Sequence, residues 1–281
     1  MSAADATGSL VLVGTPIGNL GDIPARAAQV LAAAAVVYCE DTRHSRQLLT
    51  HLGISGKRLV SLHEHNEDGR MAAVLEALAA GQTVALVSDA GMPVISDPGQ
   101  RLVAAARAAG FAVSAVPGPN AAIMALAISG LPAERFAFEG FLPVKASERR
   151  ARISALAGER RTAILYESPH RVAKLVAELA AACGPERQIM LTRELTKRHE
   201  EVWSGGLAAA VDYLASTPPR GEYTVVLAGA AEVVAEVTDD AIMAALVREL
   251  AGGGSRRSAV EAVAIELGVP RKRVYALSLT L

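Results

Sequence analysis

The chain has 281 residues, of which 51% are hydrophobic, so it can bury a sizeable core and form about two domains of roughly 100–200 residues each. Its formal net charge of −1 excludes a field over the whole molecule that draws it to nucleic acid, so any polyanion site must be a local patch. No apolar run reaches the roughly 20 residues of a transmembrane helix, and the amino terminus lacks a signal-peptide pattern. We therefore expect a cytoplasmic protein with no membrane partner.

Short β-type runs alternate with longer helical segments in residues 1–130, the first predicted domain. The predicted strands are Leu10–Val13, Ala35–Cys39, Arg58–Leu62, Thr83–Ser88 and Ala112–Val116. The predicted helices are Pro24–Ala34, Ser45–Leu52, Asp68–Ala80, Pro98–Ala109 and Pro119–Ile128. Strands joined by helical crossovers predict a mostly parallel sheet that is covered on both faces.

A second α/β domain is predicted over residues 131–232, after a Gly-Leu-Pro hinge at 130–132. Its strands are predicted at Arg135–Glu139, Thr162–Tyr166, Gln188–Leu191, His199–Ser204 and Tyr223–Leu227. Its helices are predicted at Lys145–Ala157, Ser168–Cys183 and Leu207–Ala215. Residues 238–281 predict only short helices, at Thr238–Ala251, Ser255–Leu267 and Pro270–Leu277, and hence a small helical appendage.

Polar or Gly/Pro-rich segments follow seven of the predicted strands. They are GTPIGN (14–19), EDTRHSR (40–46), HEHNE (63–67), SDAGMPVISDPG (88–99), PGPNAA (117–122), YESPHR (166–171) and TRELTK (192–197). The carboxyl ends of parallel strands share one edge, which is where α/β proteins bind ligands. If the sheets are parallel, these segments converge on one rim.

The first of these segments lacks the features of a phosphate-binding loop. Its glycines, Gly14, Gly18 and Gly21, do not have the dinucleotide spacing, and Pro16 removes an amide from the turn. In the fourth segment, Asp97 precedes a proline and reads as a helix N-cap. Capping does not explain Asp89, whose carboxylate can accept from ribose hydroxyls or face a cation.

No metal site is predicted. Cys39 and Cys183 lie far apart and outside any CxxC pair, and no His/Cys cluster has the spacing of a zinc site. The sequence favours two reduced thiols.

The motifs together resemble those of a known family. VGTPIGNLGD, EDTRHSR, HEHNE, SDAGMPVISDPG, PGPNAA, FEGFLP, YESPHR and RELTK, in this order, resemble the methyltransferases of the tetrapyrrole methylase fold, and more narrowly the bacterial ribosomal RNA small subunit methyltransferase I group. The resemblance covers residues 9–230, and the appendage fits it too. It implies two α/β domains with S-adenosylmethionine in the cleft between them, and a homodimer. It also implies 2′-O-methylation of a cytidine ribose in small-subunit (16S) rRNA, with free rRNA or the assembled small ribosomal subunit as partner.

By the same resemblance, seven residues contact the cofactor: Ile17, Asp89, Met92, Asn120, Ala121, Tyr166 and Leu227. Asp89 and Met92 flank the methionine or ribose part, and Tyr166 lies across the cleft. The strand end near Leu227 closes the adenine side. Met92 stands where the family commonly has Thr.

Ribose methylation needs an acceptor for the proton of the 2′-hydroxyl. The candidates are Glu40, Asp41, His63, Glu64, His65 and Glu167, of which Asp41 and His65 rank first. Substrate contacts are expected from Arg43, His63, Glu64, Asn66, Glu167, Arg171, Arg193 and Lys197. The cations in this set suit phosphate, although Arg171 has the spacing to pair with Glu167, and Arg193 could pair with Glu194 or Glu200.

Two further basic groups suit an rRNA backbone or solvated helix faces. They are Arg149, Arg150 and Arg152, and, in the appendage, Arg256, Arg257, Arg271, Lys272 and Arg273. Two alternative functions stay open. One is methylation of a small tetrapyrrole by the same fold, and the other is a non-catalytic DNA-binding protein that uses the appendage.

Overall fold

A computed structural model of the chain describes residues 8–231 and 237–281. They form two compact units, which divide between Ala230 and Ala231. Residues 1–7 and the predicted domain boundary at 232 lie outside the described residues. Within the described residues, no helix is long and apolar enough to cross a membrane.

The first unit begins with a five-stranded parallel sheet. Its strands are β1 (Ser9–Val13), β2 (Val36–Cys39), β3 (Leu59–Ser61), β4 (Thr83–Leu86) and β5 (Ala112–Val116), in the order β3-β2-β4-β1-β5. The helices are α1 (Ala25–Ala33), α2 (Thr42–His51), α3 (Glu67–Ala79), α4 (Gln100–Ala108) and α5 (Ala121–Ile128). Hydrophobic cores on both faces of the sheet explain its apolar strands. The predicted parallel sheet is confirmed.

The second sheet is mixed. Its strands are β6 (Phe136–Phe141), β7 (Thr162–Glu167), β8 (Gln188–Arg193), β9 (Glu201–Gly206) and β10 (Tyr223–Leu227), in the order β6-β7-β10-β8-β9. The helices are α6 (Ala146–Gly158), α7 (Val172–Cys183) and α8 (Leu207–Ser216). Among the described strands of this sheet, β6 and β7 alone pair in parallel, whereas β10 runs antiparallel to both β7 and β8. The carboxyl ends of β7 and β8 therefore meet at the amino end of β10, where Tyr223 lies opposite Glu167 and Arg193.

The second unit is the predicted helical appendage. It consists of α9 (Asp239–Ala251), α10 (Arg256–Leu267) and α11 (Arg271–Ser278) around a small core that includes Ile242, Val263 and Val274. Thr238 and Ser255 cap α9 and α10 through their hydroxyls. The fold class, α/β with a C-terminal helical appendage, is confirmed.

The glycine-rich loop after β1 packs tightly against the turn after β5. A Cβ atom at Gly14 would lie 2.7 Å from the Cα atom and the amide nitrogen of Gly118. Because real Cβ atoms do not approach backbone so closely, the two glycines let the loops touch. The loop is built for shape, as its sequence predicts.

Gly14→Ala is therefore expected to destabilise the protein by about 1–3 kcal/mol, through forced displacement of the β5–α5 turn. Urea unfolding measures this change. The matched control is Gly69→Ala, since Gly69 lies in α3 with open space around its would-be Cβ. That variant should gain about 0.5–1 kcal/mol from helix propensity. Equal effects of the two substitutions would contradict the close-packing explanation.

Candidate functional site

A cavity of about 350 Å³ lies between the two sheets of the first unit. Loops of the first sheet contribute Ile17, Met92, Asp97, Asn120 and Ala121, and the second sheet contributes Phe141, Tyr166, Glu167, Thr192, Leu195 and Thr224. Five of the seven predicted cofactor residues thus line one hollow: Ile17, Met92, Asn120, Ala121 and Tyr166. The size and the mixed lining are typical of a small-molecule site.

The two walls of the cavity are joined at Tyr166. Its hydroxyl accepts a hydrogen bond from the Ala122 amide at 3.2 Å, which links β7 to the start of α5. Its ring packs edge-on against Phe138, with centroids 5.1 Å apart, and against Phe141 at 5.7 Å. Burial raises the pKa of the Tyr166 hydroxyl, so it stays neutral. The aromatic wall is therefore fixed before any ligand enters.

The loop after β1 brings Ile17 into the cavity. The Thr15 hydroxyl donates to the carbonyl oxygens of Ser88 at 3.2 Å and Gly91 at 3.3 Å. Thr15 and Gly91 also exchange backbone hydrogen bonds. These contacts place the nearly buried Ile17 side chain beside Gly91 at the floor of the site.

The loop before α4 bends sharply at the cavity wall. Val94, Ser96 and Gly99 have left-handed φ angles of 77°, 64° and 118°. Non-glycine residues rarely adopt this conformation, and such strain concentrates at functional sites. Gly99 is the N-cap of α4, so the prediction that Asp97 caps this helix is wrong. The bend turns Asp97 toward the cavity instead.

The Asp97 carboxyl sits in an environment that disfavours its charge. Burial, together with the charges of Glu40 and Asp89, raises its pKa to about 6, against a smaller lowering effect of a hydrogen bond with Ser88. A carboxyl that titrates near neutrality inside a cavity suits proton transfer. The Asp-Pro-Gly order at 97–99 offers two candidates for the cap, an aspartate and a glycine, and α4 uses the glycine.

Asp89 does not line this cavity. It lies in a neighbouring hollow of about 510 Å³ that shares Ile17 and Lys197 with the first. Its carboxylate accepts from the Asp41 amide at 3.0 Å and lies 3.3 Å from His44 Nδ1. The direct cofactor contact predicted for Asp89 gains no support from this position, because the carboxylate is occupied at the start of α2.

Asp41 serves as the N-cap of α2. Its carboxylate accepts from the Arg43 amide at 2.7 Å and from the Arg43 guanidinium at 2.6 Å. These hydrogen bonds from Arg43 hold the pKa of Asp41 far below its ordinary value. A carboxylate so stabilised is a weak base, so the geometry disfavours Asp41 as the proton acceptor.

The HEHN residues form the turn that leads into α3. The Asn66 side chain accepts from the His63 amide at 2.9 Å and donates to the Ser61 carbonyl at 3.2 Å. The exposed His65 ring contacts His63, with centroids 6.1 Å apart, and the Glu64 carbonyl accepts from Arg101. Among the described residues that line the two cavities, His63, Glu64, His65 and Asn66 do not occur.

Glu167 and Arg171 belong to a buried ion-pair network. The fully buried Glu167 carboxylate lies 3.3 Å from the Arg171 guanidinium and 3.5 Å from that of Arg149. Arg149 also donates to Glu178 at 2.7 Å. Arg171 pairs with Glu167 as their spacing allows, which makes this pair structural although Glu167 also faces the cavity.

Two more of the cations that were predicted to contact substrate, Arg193 and Lys197, also form ion pairs. Arg193 lies 2.8 Å from Glu201, a partner that the sequence did not suggest, and the structure does not place Arg193 among the cavity-lining residues. Lys197 lines the cavity and contacts Glu194 and Glu222, each at 2.8 Å. Of the predicted phosphate contacts in this unit, Lys197 is therefore nearest to the candidate site.

Leu227 lies away from the cavity. Because β10 is antiparallel to its neighbours, Leu227 lies at the end of the strand that is away from the cavity, opposite Ala163 and Ile189. Its side chain is fully buried in the hydrophobic core of the second sheet and its helices. The amino end of β10 reaches the site instead and supplies Glu222, Tyr223 and Thr224. Among the described residues, no group of three or more His, Cys, Asp or Glu side chains could hold a metal ion.

The chain is similar in sequence to a family of known proteins. Residues 9–211 match the family model of the tetrapyrrole (corrin/porphyrin) methylases. The chain is 46% identical to a ribosomal RNA small subunit methyltransferase I of Xylella fastidiosa strain Temecula1, over 95% of this chain and 98% of that one. It is 45% identical to the protein of the same name from Synechocystis, over 98% of each.

The fold is also found in a solved structure. A uroporphyrin-III C-methyltransferase from Thermus thermophilus, complexed with S-adenyl homocysteine, aligns with a TM-score of 0.54 and 18% identity. The alignment covers 78% of this chain and 96% of that one. A cavity between two α/β sheets, the family model and relatives of nearly half-identical sequence lead to the same conclusion: the chain belongs to the ribosomal RNA small subunit methyltransferase I family of the tetrapyrrole methylases.

Proposed function

We propose that this protein uses S-adenosylmethionine to methylate the 2′-oxygen of a cytidine ribose in small-subunit (16S) rRNA. The observation that carries the proposal is the single cavity where Ile17, Met92, Asn120, Ala121 and Tyr166 meet from distant parts of the chain. The family of the chain supplies the reaction class and the substrate class.

The residues of the cavity fit S-adenosylmethionine. Ile17, Met92 and Tyr166 offer apolar and aromatic surface to a nucleoside, and the first turn of α5 offers backbone amides beside Asn120 and Ala121. No phosphate has to be bound, so a loop that contains Pro16 is acceptable there. S-adenosylmethionine supplies, when bound, an electrophilic methyl carbon on a sulfonium.

Asp97 takes the role of proton acceptor in this proposal. It lines the same cavity, whereas Asp41 is held by Arg43 and His65 lies on an exposed turn. The ribose hydroxyl is a poor nucleophile while it is protonated, and a carboxylate within hydrogen-bond reach accepts its proton as the new bond forms.

Substrate contacts are proposed at the mouth of the cavity. Phe141 is 54% exposed there and offers a face on which a nucleobase can stack, and Lys197 offers a cation to a phosphate. The exposed residues Arg43, His65 and Glu64 lie farther along the same edge of the first sheet. We keep Arg193 and Arg171 as positioning residues because, unlike Lys197, they are not among the residues that line the cavity, and each is engaged in an ion pair.

The assembly and location of the protein are part of the proposal. We infer that it works in the cytoplasm, on the free rRNA or on the assembled small subunit, and as a homodimer. Helix α5 supports self-association because its two isoleucines Ile123 and Ile128 are each about half exposed to solvent. Residues 1–130, 131–232 and 238–281 are the proposed domains.

A transfer assay with methyl-labelled S-adenosylmethionine tests the function. Small ribosomal subunits, naked 16S rRNA and a tetrapyrrole polycarboxylate are offered separately. We expect label in the RNA and none in the tetrapyrrole. Label in the tetrapyrrole alone would replace the proposal with the second function, and binding to duplex DNA without any transfer would replace it with the third.

A further inference from the structure

The C-terminal unit contains a groove whose rim is almost entirely basic. It is lined by Arg256, Arg257 and Val260 of α10 and by Arg271, Lys272 and Tyr275 of α11. Each helix contributes two consecutive cations at its first turn and a third residue one turn later. The matching spacing puts the four cations along the two sides of one concavity.

Ion pairing within the unit leaves this groove positively charged. The described part of the unit has six cations, of which Arg248 and Arg273 lie elsewhere and pair with Glu266 and Asp239 at 2.5 and 2.7 Å. In the groove itself, Arg271 faces Glu261 at 3.4 Å, and both side chains are more than half exposed. An exposed pair of this kind contributes little and is easily exchanged for another anion.

The placement of these cations is unfavourable in the absence of an anion. Arg256 and Arg257 begin α10, and Arg271 and Lys272 begin α11, which is where the helix dipole repels positive charge. Pro270, the N-cap of α11, provides no side-chain acceptor for its first amides. A bound phosphate would compensate the cations and these amides together.

Tyr275 indicates which polyanion the groove takes. Its side chain is 53% exposed beside the cations, whereas Val260 at the floor is buried. An exposed aromatic ring next to a basic track is the arrangement that binds single-stranded nucleic acid, in which unstacked bases are available to the ring.

We infer that this groove binds a single-stranded or loop segment of RNA, with phosphates on the four cations and a base on Tyr275. The inference rests on the proposed function and adds the docking site and the RNA form to it. Two double variants, R256Q/R257Q and R271Q/K272Q, and their combination test it in the full chain. R107Q/R248Q is the charge control, since both arginines are exposed and lie outside the groove.

Affinity for a single-stranded 16S rRNA fragment is measured between 50 and 200 mM salt. Each phosphate contact contributes about −0.7 to the logarithmic salt slope, so the combined variant should have a slope shallower by about 3. The control should match the wild type. Tyr275→Leu should weaken binding by about fivefold or more without changing the slope, and Tyr275→Phe should restore it.

Further measurements separate the groove from the fold and from the proposed function. Circular dichroism of the full chain reports whether each variant keeps its helices, and methylation by the wild type tests the proposed function separately. If the wild type methylates rRNA and the combined variant keeps the full salt slope, the proposed role of the groove is wrong, whereas the proposed function stands. The groove proposal would also be overturned if duplex RNA bound more tightly than the single strand. Tighter binding of anionic phosphatidylglycerol vesicles than of the single strand, through the same four cations, would overturn it as well.

Discussion

Replacing Asp97 with asparagine is expected to lower kcat by about 10²–10⁴-fold, the range that general-base catalysis provides. Asparagine keeps the size and polarity of the side chain but cannot take the proton of the ribose hydroxyl. The cavity walls at Ile17 and Tyr166 are unchanged in this variant, so the affinity for S-adenosylmethionine should stay within about twofold. Single-turnover methylation and calorimetry measure the two quantities.

The pH dependence of Asp97→Asn separates catalysis from structure. The wild-type rate should rise with pH through an apparent pKa of about 6, because Asp97 must lose its proton to act as a base. The rate of the Asp97→Asn variant should not rise with pH in this range. The folded-state pKa lies above the ordinary value of 3.8, so the wild type loses stability as the pH rises from about 4 through 6. Asp97→Asn should therefore be more stable than the wild type at pH 7 and equally stable near pH 4.

The control for this experiment is Asp212→Asn on the exposed side of α8, which should leave the rate, its pH profile and the stability unchanged. A wild-type-like rate for Asp97→Asn would exclude Asp97 as the base. Loss of activity in His65→Gln, together with full activity in Asp97→Asn, would return the role of proton acceptor to His65.

Glu167→Gln should have the largest effect on stability. The substitution removes a fully buried charge that faces Arg149 and Arg171, and leaves Arg149 with Glu178 alone. Breaking a buried ion pair by removing one partner costs on the order of 3 kcal/mol or more. Among the described residues, two guanidinium nitrogens of Arg149 have no hydrogen-bond partner, so Glu178 alone compensates the remaining charge. Urea unfolding measures the loss.

A second substitution tests the cause of this loss. Arg149→Met combined with Glu167→Gln also removes one of the two cations that lose Glu167 and should recover part of the lost stability. The surface control is Glu148→Gln, whose exposed pair with Lys145 should contribute less than about 1 kcal/mol. If Glu167→Gln is as mild as Glu148→Gln, the network does not stabilise the second sheet and Glu167 returns to the list of substrate contacts.

The strands and most helices of this chain could be predicted from hydrophobic period and length. The sequence predicts strand β5 with its observed bounds, Ala112–Val116, and the predicted first residues of α9 and α10, Thr238 and Ser255, are the residues that cap these helices. These features are local, because an apolar run and a capping hydroxyl act over a few residues. Strand direction is not local. The antiparallel β10 reversed the expected position of Leu227 and brought Thr224 to the cavity.

The roles of charged residues were harder to predict than the fold. Asp41, Glu167 and Arg193 carry the chemistry of a site, but each is paired with another charged side chain in the structure. A sequence shows that such residues follow strands, and does not show which partner each one meets across the fold. Asp97 was assigned to capping for the same reason, since only the left-handed Gly99 reveals where α4 begins.

The central claim is that one cavity brings a methyl donor, a ribose hydroxyl and Asp97 together. Mapping 2′-O-methyl groups on 16S rRNA from a strain that lacks this gene tests it most directly, with complementation by the wild type and by Asp97→Asn. We expect one cytidine 2′-O-methyl group to disappear on deletion, to return with the wild type, and to stay absent with Asp97→Asn at equal protein level. An unchanged set of ribose methyl groups after deletion would contradict the account.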